Sequence, residues 1–455
     1  MSFESKLNPL RLSVVKYSIS KCSDIDLAVD AIRRGSKFQR RKQREIENEV
    51  SKILSKIKRD RDKALIQFER KFDFQKISTA ESLRVKESEF REAYSKLDSN
   101  QVHAIKVAYE QISWFAKTQM RRFARKKLVT PLGFEIEETY LPLERVGGYV
   151  PGGNASYPST VLMICAPSKV AGVKEIVLAT PPRRYDGRVS ASVLVAADLC
   201  GVSDVLKIGG AQAIAALAYG TQSIKKVDLI AGPGNAYVTE AKRQVCASRE
   251  VLIDGLAGPT ELLIIADAHS NAKFIAKDMI SQAEHGNITL CGVVSNSKEL
   301  LTTVEEQVLS ISTESIRKSE RLEQIRSSKL FFVKTSSMKL AIKFARAFAP
   351  EHLEVMTSMG KEEEDLNTAG LVLSGNFTPP SSSDYIIGTN HILPTGGTAR
   401  VSAGLGVENF LKRVTIATGH KKCLARSLNY ISTLANLEGL PNHYSAASCR
   451  FETGE

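Results

Sequence analysis

Residues 201–246 read GVSDVLKIGGAQAIAALAYGTQSIKKVDLIAGPGNAYVTEAKRQVC. Two short apolar runs stand out, Val205–Ile208 and Asp228–Ala231. Each ends in a glycine-rich turn, and each turn leads into a segment with few breakers, 211–219 and 235–246. Apolar runs of this length bounded by turn residues read as buried strands, and the longer segments read as helices. Strand, glycine turn and helix in repetition predict βαβ units and therefore a parallel sheet.

The alternation extends both ways. Upstream, Val161–Cys165 and Ile176–Thr180 are strand candidates, and 189–200 reads as helix. Downstream a second series follows, with strands expected at Leu262–Ala266, Cys291–Ser295, Leu330–Val333 and Leu371–Ser374. Helices are expected there near 271–284, 299–308 and 337–348. Before the first series the texture is helical. Ile46, Val50, Ile53, Leu54 and Ile57 recur at spacings of three and four within 42–72, and 88–128 has few breakers. Residues 376–406, rich in Gly, Ser, Thr and Pro, predict a long irregular and functional segment. Helices are expected again at Asn409–Arg413 and Cys423–Glu438. The fold class is α/β, with two Rossmann-like but incomplete domains at 131–255 and 256–395. They lie between a mainly helical region at 1–130 and a helical C-terminal arm at 396–455.

Composition narrows the function classes. No apolar run approaches the 18 residues that a bilayer-crossing helix needs, and the amino terminus reads as neither signal nor transit peptide. The expected compartment is the cytoplasm, with no membrane partner. The seven cysteines form no C-x-x-C pair and read as reduced thiols. The net charge of +13 is uneven: the first 130 residues hold 31 Lys and Arg against 17 Asp and Glu, the remainder 32 against 33. Such an excess reads either as a nucleic-acid footprint or as a solvated helical face. The interspersed acids favour the second, so a nucleic-acid partner is disfavoured.

The chemistry-bearing motifs are modest one by one. Pro151-Gly152-Gly153, Gly209-Gly210-Ala211-Gln212 and Gly232-Pro233-Gly234-Asn235 let backbone approach a phosphate, and the last two open helices whose N–H groups attract anions. None carries G-x-G-x-x-G, and each also fits a plain strand-to-helix connection. Gln282 and His285 share a helix face at i and i+3 and offer metal ligands, although a helix-end histidine also caps or packs. Glu351 and His352 place a carboxylate beside an imidazole, a pair suited to moving protons near neutral pH. Asp384 precedes Gly388-Thr389-Asn390-His391, and Glu438 precedes Asn442-His443. Four of the seven histidines, His285, His352, His391 and His443, fall beside acids, amides or glycine-rich turns.

Taken in order, these stretches resemble the histidinol dehydrogenases over nearly the whole chain. The matching segments are Val146–Gly153, Gly209–Gln212, Ala231–Asn235, Ala257–Glu261, Ser281–Gly286, Ala349–Glu354, Gly388–Thr395 and Glu438–His443. The resemblance implies a homodimer that oxidises L-histidinol through L-histidinaldehyde to L-histidine with NAD, carrying one Zn²⁺ per subunit. It implies that Gln282, His285, Asp384 and His443 hold the zinc. Glu351 and His352 are then the acid–base pair, and Tyr149, Gln212 and Asn235 contact NAD. The substrate site comprises Thr260, His391 and Glu438 with His352 and the zinc ligands. The position of Thr260 is often serine in the family, so a hydroxyl is kept and a methyl added. The resemblance further implies that the C-terminal arm crosses to the partner, so that Glu438 and His443 serve the partner's site.

Two other readings compete. The same machinery could take another alcohol, such as a sulfonated diol, but the presence of both Glu438 and His443 favours histidinol. A zinc-bearing RNA-associated protein would account for the basic first third, but the retained catalytic set argues against it.

Overall fold

The computed structural model describes residues 12–33, 37–152, 156–256, 258–285, 289–314, 322–357 and 366–452. Gly153, Ala257 and Gly286 of the motifs above lie outside these residues.

Two parallel sheets organise the chain. The first has five strands in the order Asp204–Leu206, Glu175–Ala179, Arg145–Tyr149, Leu229–Ala231, Leu252–Ile253. The second has six, in the order Ser13–Ile19, Lys329–Thr335, Leu290–Ser295, Glu261–Ala266, His352–Val355, Leu371–Ser374. Leaving Ser13–Ile19 aside, both are wound alike. The chain starts at the central strand, adds two strands on one side, then returns to add two on the other. Each is thus one strand short of the six-stranded dinucleotide-binding order, which is the incomplete Rossmann-like class expected. The winding reverses between Arg145–Tyr149 and Leu229–Ala231 in the first sheet, and between Glu261–Ala266 and His352–Val355 in the second.

The helical first third is divided between the two domains. The long helix Lys37–Phe72 covers one face of the first sheet together with Gly210–Tyr219 and Ala236–Ala247. Ile46, Val50, Ile53, Leu54 and Ile57 are all buried there, as their spacing predicts. The helix breaks at Arg61 (φ 51°), whose guanidinium donates to the carbonyls of Tyr219 and Gly220 at 2.8 Å each, closing the end of the neighbouring helix. Ser99–Met120, Pro158–Ala171 and Ala191–Leu199 cover the opposite face. Ser13–Ile19 and the helix Ile25–Arg33 belong instead to the second domain. Near Asn390 the chain returns to the first domain. Leu405, Val407 and Phe410 are buried in its core, ahead of an exposed antiparallel sheet of Leu411–Thr418, Glu135–Pro142 and Lys126–Val129.

Several expectations are corrected. Val161–Cys165 is not a strand but the middle of the helix Pro158–Ala171. Every residue from Thr160 to Ser168 is buried, so the helix is apolar all round and looks like a buried strand in sequence. Its true marks are Pro158 at the start and Gly172 (φ 93°) just past the end. Asn409–Arg413 is not a helix; a single 3₁₀ turn, Val407–Phe410, gives way to the strand Leu411–Thr418. Residues 88–128 form two helices, Glu87–Ser95 and Ser99–Met120, and then enter a strand. They are separated at Asp98, which caps the second by accepting from Gln101 N at 2.8 Å.

Candidate active site

The helix Ala272–Ala283 begins at Asn271, whose Oδ1 accepts from Lys273 N and Phe274 N. Its last turn carries Gln282, buried, and His285 follows just beyond its end with an exposed side chain. The short helix Pro380–Tyr385 packs against it and brings Asp384 to face His285, with Nε2 and Oδ2 3.8 Å apart. His391 approaches from the other side, its Nδ1 3.8 Å from Asp384 Oδ1 and donating to the backbone carbonyl of Asp384 at 3.2 Å. A carbonyl only accepts, so this contact puts the proton on Nδ1 and leaves Nε2 of the neutral ring as an acceptor. Burial keeps His391 below the usual imidazole range. Burial alone would raise the Asp384 carboxyl, but the surrounding histidines outweigh it and hold the group lowered and ionised.

The loop carrying His391 is tied down by a neighbour. Pro167 has no N–H to give to the carbonyl of Met163, four residues earlier in its helix. Asn390 Nδ2 donates to that carbonyl at 2.7 Å instead, anchoring the loop to the first domain.

Glu351 and His352 follow the helix Met338–Phe348 through Ala349, a non-glycine residue at φ 45°, and open the strand His352–Val355. Gly370 allows a close approach here, since a Cβ on it would lie 2.7 Å from the carbonyl oxygen of Glu351. Glu351 Oε2 accepts from the backbone N–H of Glu261 at 2.9 Å and stands 3.9 Å from His352 Nδ1. Burial pushes the Glu351 carboxyl well above its ordinary range, with Glu261 and Asp384 adding to it. His352 is 2 % exposed, and neither ring nitrogen has a hydrogen-bond partner. Burial lowers its pKa to about 4, so the ring is neutral and able to accept a proton. Buried polar atoms left unpaired cost about 1–3 kcal/mol, and a neutral imidazole held in this state is poised for a ligand or substrate.

Thr260 and Glu261 stand at the amino end of the neighbouring strand. Glu261 is buried and takes two contacts from Arg33 Nη2, at 3.0 and 3.2 Å, while Arg33 stacks over Phe348 at 4.3 Å. Burial raises Glu261 to about 7 against the pull of Arg33. Thr260, Glu261, Glu351 and His352 thus cluster at the amino ends of the second sheet's switch strands. Fold analogy alone points to the carboxyl ends.

In the first sheet the expected cofactor positions lie at the other ends of the strands. The carboxyl ends of its two switch strands carry Tyr149 and the turn Gly232–Asn235. Tyr149 is buried, and its hydroxyl accepts from Gly210 N at 3.1 Å. Gln212 is buried too, with Nε2 donating to Glu69 at 3.0 Å and Asp73 at 3.1 Å. Asn235 is exposed and caps the helix Ala236–Ala247, accepting from Tyr237 N and Val238 N.

Glu438 and His443 stand apart, both exposed, at the end of the helix Lys421–Leu437 and on the helix Pro441–Ser448. Among the described residues of the single chain, no three His, Cys, Asp or Glu side chains gather closely enough to hold a metal. One chain therefore brings His285 and Asp384 together beside His391 and His352, with Gln282 one turn away, but does not add His443.

The histidinol dehydrogenase family profile matches residues 36–451. The chain belongs to the histidinol dehydrogenase family. It is 42% identical to the histidinol dehydrogenase of Methanocaldococcus jannaschii over 407 residues, covering 89% of this chain and 92% of that one. It is 40% identical to the histidinol dehydrogenase of Clostridium acetobutylicum over 410 residues, covering 90% and 93%. Its fold matches the crystal structure of histidinol dehydrogenase from Elizabethkingia anophelis with a TM-score of 0.86 and 33% identity, over 97% and 98% of the two chains. Within this histidinol dehydrogenase family member, sequence reasoning missed Arg33, the Glu69–Asp73 pair that holds Gln212, and the role of Glu261 under Glu351. Glu261 had a signal, since it closes the motif Ala257–Glu261. Arg33 had none, lying 228 residues from its partner.

Proposed function

We propose that this chain oxidises L-histidinol to L-histidine by way of L-histidinaldehyde, at the expense of two NAD⁺, as a homodimer with shared active sites. The observation that carries this reading is the buried, neutral His352, whose two unpartnered ring nitrogens sit beside Glu351 and the His285–Asp384–His391 group.

The residues present fit a zinc ion. Imidazole, carboxylate and amide oxygen make a mixed N/O donor set, and Asp384 stays ionised though buried. Gln282, His285 and Asp384 would hold it with the partner's copy of His443. When bound, zinc supplies a template for the substrate's imidazole and amine nitrogens, and NAD⁺ supplies the hydride acceptor. Tyr149, Gln212 and Asn235, at or following the carboxyl ends of the first sheet's strands, would contact NAD⁺.

The chain's own groups then divide the labour. His352 takes the hydroxyl proton in the first oxidation and the proton of the hydrate in the second. Glu351, held in place by the Glu261 N–H, orients the water that adds to the aldehyde. Glu261 is kept in register by Arg33. Thr260, His391 and the partner's copy of Glu438 complete the substrate pocket.

The test is a steady-state assay on the purified protein with histidinol and with a sulfonated diol, before and after chelation. Histidinol-dependent NADH that vanishes on metal removal and returns with zinc is expected. NADH from the diol alone, or activity that survives full metal removal, contradicts the reading.

A further inference from the structure

Lys242 and Asp254 form an ion pair in which both side chains are 3 % exposed. Lys242 lies in the helix Ala236–Ala247, and Asp254 follows the strand Leu252–Ile253. Their polar contacts converge on one residue. Lys242 Nζ donates to the carbonyl of Gly232 at 2.9 Å and to Asp254 Oδ1. Asp254 Oδ2 accepts from the N–H of Gly232 at 2.7 Å, and Oδ1 also accepts from Gly255 N at 2.8 Å. The pair thus grips the N–H and the C=O of the same glycine.

Gly232 needs gripping. Its φ is +118°, and a Cβ there would lie 2.1 Å from the carbonyl oxygen of Tyr149, so the turn is pressed against the neighbouring strand end. A cavity of about 40 Å³ opens beside it, lined by Gly232, Lys242, Asp254, Ile392 and Pro394 among others. On that side packing does not fix the turn. A buried ion pair is a poor way to gain stability, because apolar residues of similar volume serve as well or better. Charges whose hydrogen bonds converge on a glycine's backbone are better explained by placement of that backbone.

We propose that Lys242 and Asp254 are positioning residues for the dinucleotide. They fix the Gly232 turn at the first sheet's switch point, so that Gly234 and Asn235 meet NAD⁺ in a set geometry. This rests on the reading that NAD⁺ uses this turn.

The test compares the zinc-loaded wild type with two double variants, Lys242→Met/Asp254→Leu and Lys242→Gln/Asp254→Asn. The apolar pair removes the grip and keeps volume. The polar pair keeps neutral donors and acceptors for Gly232. NAD⁺ binding is followed by calorimetry, KM and kcat in the steady state, and folding by Tm. Losing the grip is expected to raise KM for NAD⁺ by about tenfold, the effect of one or two lost hydrogen bonds. The histidinol KM, the kcat at saturating NAD⁺ and the zinc content should stay within about twofold, well below one tenfold step in affinity. The polar pair should recover most of the NAD⁺ affinity, which a purely structural role would not demand. If the apolar pair fails to fold, Lys242→Gln/Asp254→Leu, which drops the contact to the Gly232 N–H and keeps a donor for its carbonyl, decides instead: NAD⁺ binding weakened with histidinol unchanged supports the proposal, and equal weakening of both, or of neither, overturns it. Folded apolar protein with unchanged NAD⁺ binding overturns it as well. A wild type that binds no NAD⁺ instead overturns the functional reading beneath it.

Discussion

His352→Asn is expected to slow both oxidation steps by about 10²–10⁴-fold, the usual worth of a placed general base. It should leave zinc content unchanged and Tm no lower than in the wild type. The kinetic part follows from position. His352 opens a strand beside Glu351, is buried and neutral, and is the group proposed to take a proton in each half-reaction. The stability part follows from its unused ring nitrogens. Neither makes a hydrogen bond in the resting protein, so removing the imidazole costs no native contact of that kind and can relieve a desolvation penalty. Glu351→Gln should behave differently. Its carboxyl group accepts from Glu261 N and its proposed role lies in the hydration step, so the aldehyde half-reaction should suffer more than the alcohol half-reaction. Feeding each enzyme first histidinol and then histidinaldehyde separates the cases. A His352→Asn protein impaired in one step only, or stripped of zinc, would remove the residue from this role.

Mixing inactive His443→Ala and His352→Ala subunits is expected to restore about a quarter of wild-type activity per site, as C2 symmetry dictates for a shared site. Random exchange makes half of the dimers mixed, and each mixed dimer holds one site with intact His352 and intact His443. This expectation rests on the proposed sharing of the site between subunits. The helix Pro441–Ser448 carries His443 exposed, and among the described residues no single-chain metal group forms. Activity that stays at zero after verified exchange would show that the arm serves its own chain.

The fold was legible where local chemistry repeats. Gly209 and Gly232 end short apolar runs and open helices, and both turns lie where the sequence reading puts them. It was illegible where burial removes the pattern. Pro158–Ala171 is surrounded by protein, so it shows no polar face to set a period. The strand Arg145–Tyr149 escaped for another reason. Gly147 and Gly148 break its apolar run, yet they are needed because a Cβ on Gly148 would lie 2.5 Å from Leu178. Ser13–Ile19 became a strand only by pairing with Lys329–Thr335, a partner far along the chain.

The site divides the same way. Gln282, His285, Glu351, His352, Asp384 and His391 sit in short motifs whose residue types announce metal and proton chemistry. The groups that hold them do not. Arg33 reaches Glu261 across the domain, and Asn390 finds the Met163 carbonyl only because Pro167 leaves it free. Long-range supports of this kind leave no periodic trace in sequence.

The most direct measurement is the NADH yield on a limiting, known amount of L-histidinol with excess NAD⁺. Two NADH and one L-histidine per histidinol consumed are expected, because one base and one water-orienting carboxylate serve both oxidations without release of the aldehyde. A yield of one NADH with free histidinaldehyde, or none at all, would contradict the account.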